Sequence, residues 1–197
     1  MSQGEILIAV LVGLVLLIAV GIWLMTRQRR SDALRARYGE EYDRTVKVAG
    51  GRSAAEANLA EREKRVASLD IRPLTPEERR NFSTEWHDVK AVFVDSPAEA
   101  VLHADRMLTK MLQTRGFPMA DFDRRYEDLS VNYPDTARHY RAGNEITLRQ
   151  NRGQATTEDL RQAMKHYETL FNDMINEVSD TVKVRPITSP ASPRANV

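Results

Sequence analysis

Four histidines, His87, His103, His139 and His166, are the side chains of this sequence best suited to ligate a metal or move a proton near neutral pH. Acids stand at useful offsets from three of them: Glu99 is four residues before His103, Asp135 four before His139, and Glu85 two before His87. A di-metal centre in a helical protein takes Glu-x-x-His from each of two helices and one further Glu from each of two others. No Glu-x-x-His occurs in the sequence. The histidines therefore read as solvated helix-face residues beside acids, and no metal ligand is assigned.

Other reactive constellations are equally thin. Trp86, Tyr140 and Tyr167, together with a histidine, are the side chains best able to line a small-ligand site, but aromatic stripes at helical spacing read first as core. The neighbouring carboxylates Glu40-Glu41 and Glu77-Glu78 suit a first helical turn or a solvated face. No Gly-rich loop is followed by Lys-Ser or Lys-Thr, so a phosphate cradle is not expected. The segment Thr114-Arg115-Gly116-Phe117-Pro118 reads as helix termination and a turn. With no cysteine, the chain has neither disulfides nor thiolate metal sites. No catalytic residue and no cofactor is assigned, and the chain is read as a non-enzyme. The alternative is an enzyme or small-ligand-binding helical domain whose site leaves no motif.

The elements that would position these residues are all helical in pattern. Leu34, Tyr38, Tyr42 and Val46 recur every four residues, which predicts one helix from Ser31 to about Val48, stopped by Gly50-Gly51. Ser53 with Glu56 has capping-box spacing and predicts a second helix with Ala55, Leu59, Val66 and Leu69 inward, a row that Arg62 interrupts. Thr75-Pro76-Glu77-Glu78 predicts the next start, with Phe82, Trp86, Val89 and Phe93 on one face. Ser96-Pro97-Ala98-Glu99 repeats that signal before Val101, Ala104, Leu108, Met111 and Leu112, and Gly116 closes the helix. A shorter element carries Phe122, Tyr126 and Leu129. Pro134 opens another, with Ala137, Tyr140 and Leu148 inward and Asn144 between them, ending at Gly153. After the cap signal Thr156-Thr157-Glu158-Asp159 comes the clearest stripe: Leu160, Ala163, Met164, Tyr167, Leu170, Phe171, Met174 and Ile175. No stretch alternates like a strand. The expected fold class is all-α, with four long helices and one short one in an antiparallel bundle.

Ahead of these elements runs Ile6 to Met25, twenty residues without a charge. Such a helix is roughly 30 Å long, the thickness of a bilayer's hydrocarbon core. Its start lacks Lys and Arg, and Trp23-Leu24-Met25-Thr26 is too bulky for a signal-peptide cleavage site, so the segment is expected to be retained as an anchor. Five arginines between positions 27 and 37 predict that the body lies in the cytoplasm and the N-terminus outside, with Trp23 as an interfacial anchor. Ala9, Gly13 and Gly21 have small-residue spacing, a weak signal for close approach of two spanning helices.

Charge is uneven along the remaining 171 residues: net +3 from Thr26 to Asp70, −4 from Ile71 to Val182, and +3 from Lys183 onward. The basic part adjoins the expected span, and it reads first as a signal that only fixes orientation during insertion, with attraction to anionic headgroups as the alternative. The acidic outer domain has no basic face with interleaved aromatics, so nucleic acid is not an expected partner. The expected organisation is a transmembrane anchor at 1–26, a helical juxtamembrane stalk at 27–72, an α-helical bundle domain at 73–180, and a disordered tail at 181–197 whose Pro186, Pro190 and Pro193 come with little apolar content.

A resemblance supports this organisation. The runs Leu34-Arg-Ala-Arg-Tyr-Gly39-Glu-Glu-Tyr-Asp43-Arg44, Leu69-Asp-Ile-Arg-Pro73-Leu, Trp86 with Phe93-Val-Asp95, Arg115-Gly-Phe-Pro118 with Asp121-Phe122, Asp128-Leu-Ser-Val131 with Tyr133-Pro134, and Thr157-Glu-Asp-Leu-Arg161 with Ala163-Met164 and His166-Tyr167 span most of positions 34 to 171. Together they resemble a family of uncharacterised bacterial proteins with one N-terminal membrane span and an α-helical cytoplasmic domain. The resemblance implies a bacterial plasma-membrane protein and carries over no activity and no site residue. The expected function is a non-enzymatic scaffold or interaction module, tethered to the lipid bilayer at the cytoplasmic face, that binds a protein partner or itself.

Overall fold

An uninterrupted apolar run followed by good helix formers gives the first element its unusual length, and α1 (Gln3–Tyr38) continues without a break past the apolar segment. A computed structural model describes residues 3–177. After α1 come α2 (Glu40–Ala49), α3 (Arg52–Ala67), α4 (Pro76–Asp95), α5 (Pro97–Thr114), α6 (Phe122–Asn132), α7 (Pro134–Asn151) and α8 (Thr157–Asn176). No strand occurs among the described residues. The segment expected to form a tail, 181–197, lies outside them. Backbone packing divides the chain into two units inside α3, the first ending at Leu59 and the second beginning at Ala60.

The first unit corrects one helix assignment. Leu34, Tyr38, Tyr42 and Val46 do not lie on a single helix, because Gly39 takes φ +54° and the chain reverses there between α1 and α2. A side chain in that left-handed region is strained, whereas glycine enters it freely. Residues symmetric about the turn then meet, and Arg35 donates to Asp43 at 2.8 Å. The stripe still faces one place: Leu34, Tyr38, Tyr42 and Leu59 form a small apolar cluster with Val46 against it. The expected Ser53 cap is also displaced. α3 starts at Arg52, and Glu56 accepts instead from the hydroxyls of Ser31 and, at 3.1 Å, Tyr42.

In the second unit the start signals work largely as read. The Thr75 hydroxyl accepts from the Glu78 amide at 3.2 Å, and the Glu78 carboxylate accepts from the Thr75 amide at 2.8 Å. Arg72 grips the same carboxylate at 2.7 and 2.8 Å, and with Thr75 it holds the Glu78 carboxyl down to about 2. Thr156 and Asp159 form the equivalent box at α8. Pro76, Pro97 and Pro134 each occupy the first helical turn, but Ser96 makes no side-chain cap bond, so only proline's fixed φ marks that start.

One apolar core joins α4 to α8. α5 sits deepest, burying Val101, Ala104, Met107, Leu108, Met111 and Leu112, and it packs on α4, α7 and α8. Trp86 stacks on Phe171 with ring centres 5.0 Å apart. The inward face of α7 differs from expectation: Ile146 and Thr147 are buried while Leu148 is half exposed.

The C-terminal half of α3 belongs with this unit. Arg62, expected to break the apolar row, is buried in register with Leu59 and Val66, and pairs with Glu127 at 3.4 Å. Arg65 binds Asp128 at 2.6 Å and Glu127 at 3.0 Å. The stretch read as one stalk, 27–72, is thus shared between the two units.

Candidate functional site

Helices α7 and α8 form the most extensive helix pair in the molecule, and their contact brings together two of the four histidines. His139 and His166 approach Nδ1 to Nδ1 at 3.0 Å. Their ring centres are 5.3 Å apart with the planes tilted by 37°, the separation of two imidazoles whose Nδ1 atoms point straight at each other. Such a head-on contact is an N–H···N hydrogen bond, in which one ring must be in the Nδ1–H form and the other must present a lone pair. The pair accepts one proton at an outer nitrogen without losing the bond. A second proton places two N–H groups and two positive charges face to face. Partial burial first, and His139 second, hold the His166 imidazole below its ordinary value.

The other two histidines are placed differently. His103 on α5 meets Glu85 on α4 at 3.5 Å, not the Glu99 expected from spacing. His87 is exposed on α4. Asp135 pairs with Arg138 at 3.1 Å and not with His139. Among the described residues, no group of three or more His, Cys, Asp or Glu converges on a point where a metal ion could sit.

Beside the histidine pair, Tyr140 and Tyr167 are fully buried and joined to a polar chain through the core. The Tyr167 hydroxyl donates to Asp105 at 2.9 Å and shares a second hydrogen bond with the Thr147 hydroxyl at 2.8 Å. Arg125 donates from Nε to the Tyr140 hydroxyl at 3.3 Å. Burial, reinforced by Asp105, pushes the Tyr167 phenol far up, and burial raises Tyr140. Both phenols therefore stay protonated and act as hydrogen-bonding links between α5, α6, α7 and α8. Trp86, the third aromatic considered as a lining residue, is spent on Phe171. Gly143 is what lets Tyr167 lie so close to α7, because a Cβ there would stand 2.5 Å from its ring.

His166 also borders an open surface groove of about 440 Å³ with Glu145, Ile146, Arg149 and Arg152. Arg149 is held by Asp159 at 2.8 Å. A second open groove, about 700 Å³, runs past Arg79, Arg80, Ser83 and Asn176.

The buried charges escaped the sequence reading. Arg115, assigned only to a turn, is fully buried and binds Glu177, while its Nη2 donates to the Tyr133 hydroxyl at 3.0 Å and its Nε to the Arg72 carbonyl at 3.1 Å. Tyr133 donates to Glu177 at 2.5 Å, and burial pushes its phenol up to about 12. Asp128, completely buried, has one oxygen on Arg65 and the other without a partner. For Arg62 a signal did exist, a charge at i+3 from Leu59 and i−4 from Val66. For Arg115 none did, since its partners lie up to 62 residues away.

No protein-family model, no curated protein and no solved structure matches the chain.

Proposed function

We propose that this chain is a single-pass, non-enzymatic interaction or scaffold protein of the bacterial plasma membrane, with α4–α8 as an antiparallel bundle on the cytoplasmic side. One observation carries the reading: Leu11, Leu14, Leu17, Ile22 and Trp23 are each more than half exposed on α1, a helix long and apolar enough to cross a membrane. An apolar surface that covers every side of a helix over several turns has no place in water. Lipid satisfies it. Arg27 lies over the Trp23 ring at 5.3 Å, a pairing suited to the boundary between hydrocarbon and headgroups. The arginines that follow favour a cytoplasmic body by the positive-inside rule.

Interaction, and not catalysis, is favoured because the buried polar side chains of the second unit are, apart from one Asp128 oxygen, engaged with one another: Tyr167 with Asp105, Arg115 with Glu177, Arg65 with Asp128. Catalytic groups ordinarily converge on a cleft where substrate can reach them. The decisive test is topology and neighbourhood in intact cells. Alkaline washing should leave the full-length chain in the membrane, a C-terminal fluorescent reporter should light up only in the cytoplasm, and lysine crosslinking should capture a partner protein or a second copy. Release by alkali or a periplasmic reporter overturns the anchor and its direction. A chain crosslinked to nothing at native abundance overturns the scaffold role.

A further inference from the structure

The first unit sorts its charges by height above the apolar segment. α1 and α3 run in the same sense: Ser31 bonds to Glu56, and three residues further along both helices Leu34 and Leu59 share one apolar cluster. Arg27 is four residues before Ser31, and Arg52 is four residues before Glu56. At about 1.5 Å per residue, the turn between α2 and α3 therefore stands level with Arg27, two residues past the last apolar residue, Met25. Residues 26–30 and 47–53 carry Arg27, Arg29, Arg30, Lys47 and Arg52 and no acid. The layer above, residues 31–46 and 54–59, carries five acids against three bases. Val48, at the tip of the turn, is 79 % exposed.

Resting on the reading of α1 as a membrane span, we propose that the α2–α3 turn folds back onto the bilayer and docks, with Arg27 and Arg29, on anionic lipid headgroups of the leaflet that α1 leaves. Lys47 and Arg52 supply the charge, and Val48 enters the headgroup layer. The occupant follows from complementarity, since a layer of cations with no acid meets a surface of phosphates. Position follows from register, since the apolar run ends where this layer begins. The hairpin is thereby held against the surface at two places, the end of the span and the α2–α3 turn.

The chain has no cysteine, so one can be introduced and labelled alone. Full-length Val48→Cys, carrying an environment-sensitive fluorophore, is reconstituted in phosphatidylcholine vesicles with and without phosphatidylglycerol. Ala36→Cys, exposed on α1 about 16 Å past Met25, serves as the control. In anionic vesicles the label at 48 is expected to be quenched by headgroup-bound spin label and shielded from aqueous iodide, while the label at 36 behaves oppositely. Replacing Lys47 and Arg52 by alanine should weaken docking roughly five-fold per residue. A label at 48 as open to iodide as the label at 36, or docking unchanged by the two alanines or by omitting phosphatidylglycerol, overturns the proposal. Flotation separates the two readings: a chain that does not float with vesicles after alkaline washing overturns the span, and one that floats with an iodide-accessible label overturns the docking alone.

Discussion

A buried guanidinium keeps its charge, so Arg115 depends on Glu177 for a counter-ion that water cannot supply. Glu177→Gln leaves that charge uncompensated and should cost about 3 to 5 kcal/mol of stability, read as a lowered urea midpoint by tryptophan fluorescence of the detergent-solubilised chain. Adding Arg115→Met should recover much of the loss, because a buried pair replaced as a whole is nearly neutral. His166 makes a prediction of opposite character. Its folded value lies below the ordinary histidine value near 6.5. The unfolded chain therefore binds a proton that the folded chain resists, and stability falls as pH drops from about 6.5 through the lower folded value. His166→Gln should flatten the dependence of Tm on pH in that window. A slope as steep as that of the unaltered protein would remove the pair as its cause.

Among the elements, the α7–α8 contact leaves no room for a methyl group at Gly143. Tyr167 cannot retreat from Gly143 without giving up Asp105 or Thr147, so Gly143→Ala must strain one helix or break the polar chain. A cost of about 1 to 3 kcal/mol is expected, with the near-ultraviolet circular dichroism of the tyrosines altered and total helicity retained. Element boundaries were legible where a side chain caps its own helix. Thr75 with Glu78 and Thr156 with Asp159 are local devices whose partners lie within four residues. The reversal at Gly39 was not legible. A stripe with period four continues across it, and only the positive φ splits that stripe between two helices. Leu148 was misplaced for a related reason: Ile146 and Thr147 face the core at a helix phase that the polar character of threonine disguises.

For the molecule as a whole, the sequence suggests a domain start near residue 73, while packing places α3 from Ala60 onward with the second unit. Two fragments distinguish these boundaries. A fragment beginning at residue 60 keeps Arg62 and Arg65 on Glu127 and Asp128, whereas one beginning at 73 loses both cations together with the helix that packs there. The shorter fragment should be less stable in thermal or urea melts, by roughly 1.5 to 3 kcal/mol for each charged hydrogen bond lost. Equal stability would show that the second half of α3 is only a linker.

The helical class, the long apolar N-terminal helix with its flanking arginines, the capping boxes of α4 and α8 and the α8 stripe were determined by the sequence alone. Each rests on interactions within a few residues, or on a transfer energy that composition sets directly. Tertiary structure decided which histidines meet, which arginines are buried, and where along α1 the α2–α3 turn lies. Those outcomes depend on pairs 25 to 68 residues apart, such as Ser31 with Glu56 and Arg62 with Ser130. Nothing in local spacing encodes such pairs, because they arise only when whole helices have chosen their neighbours.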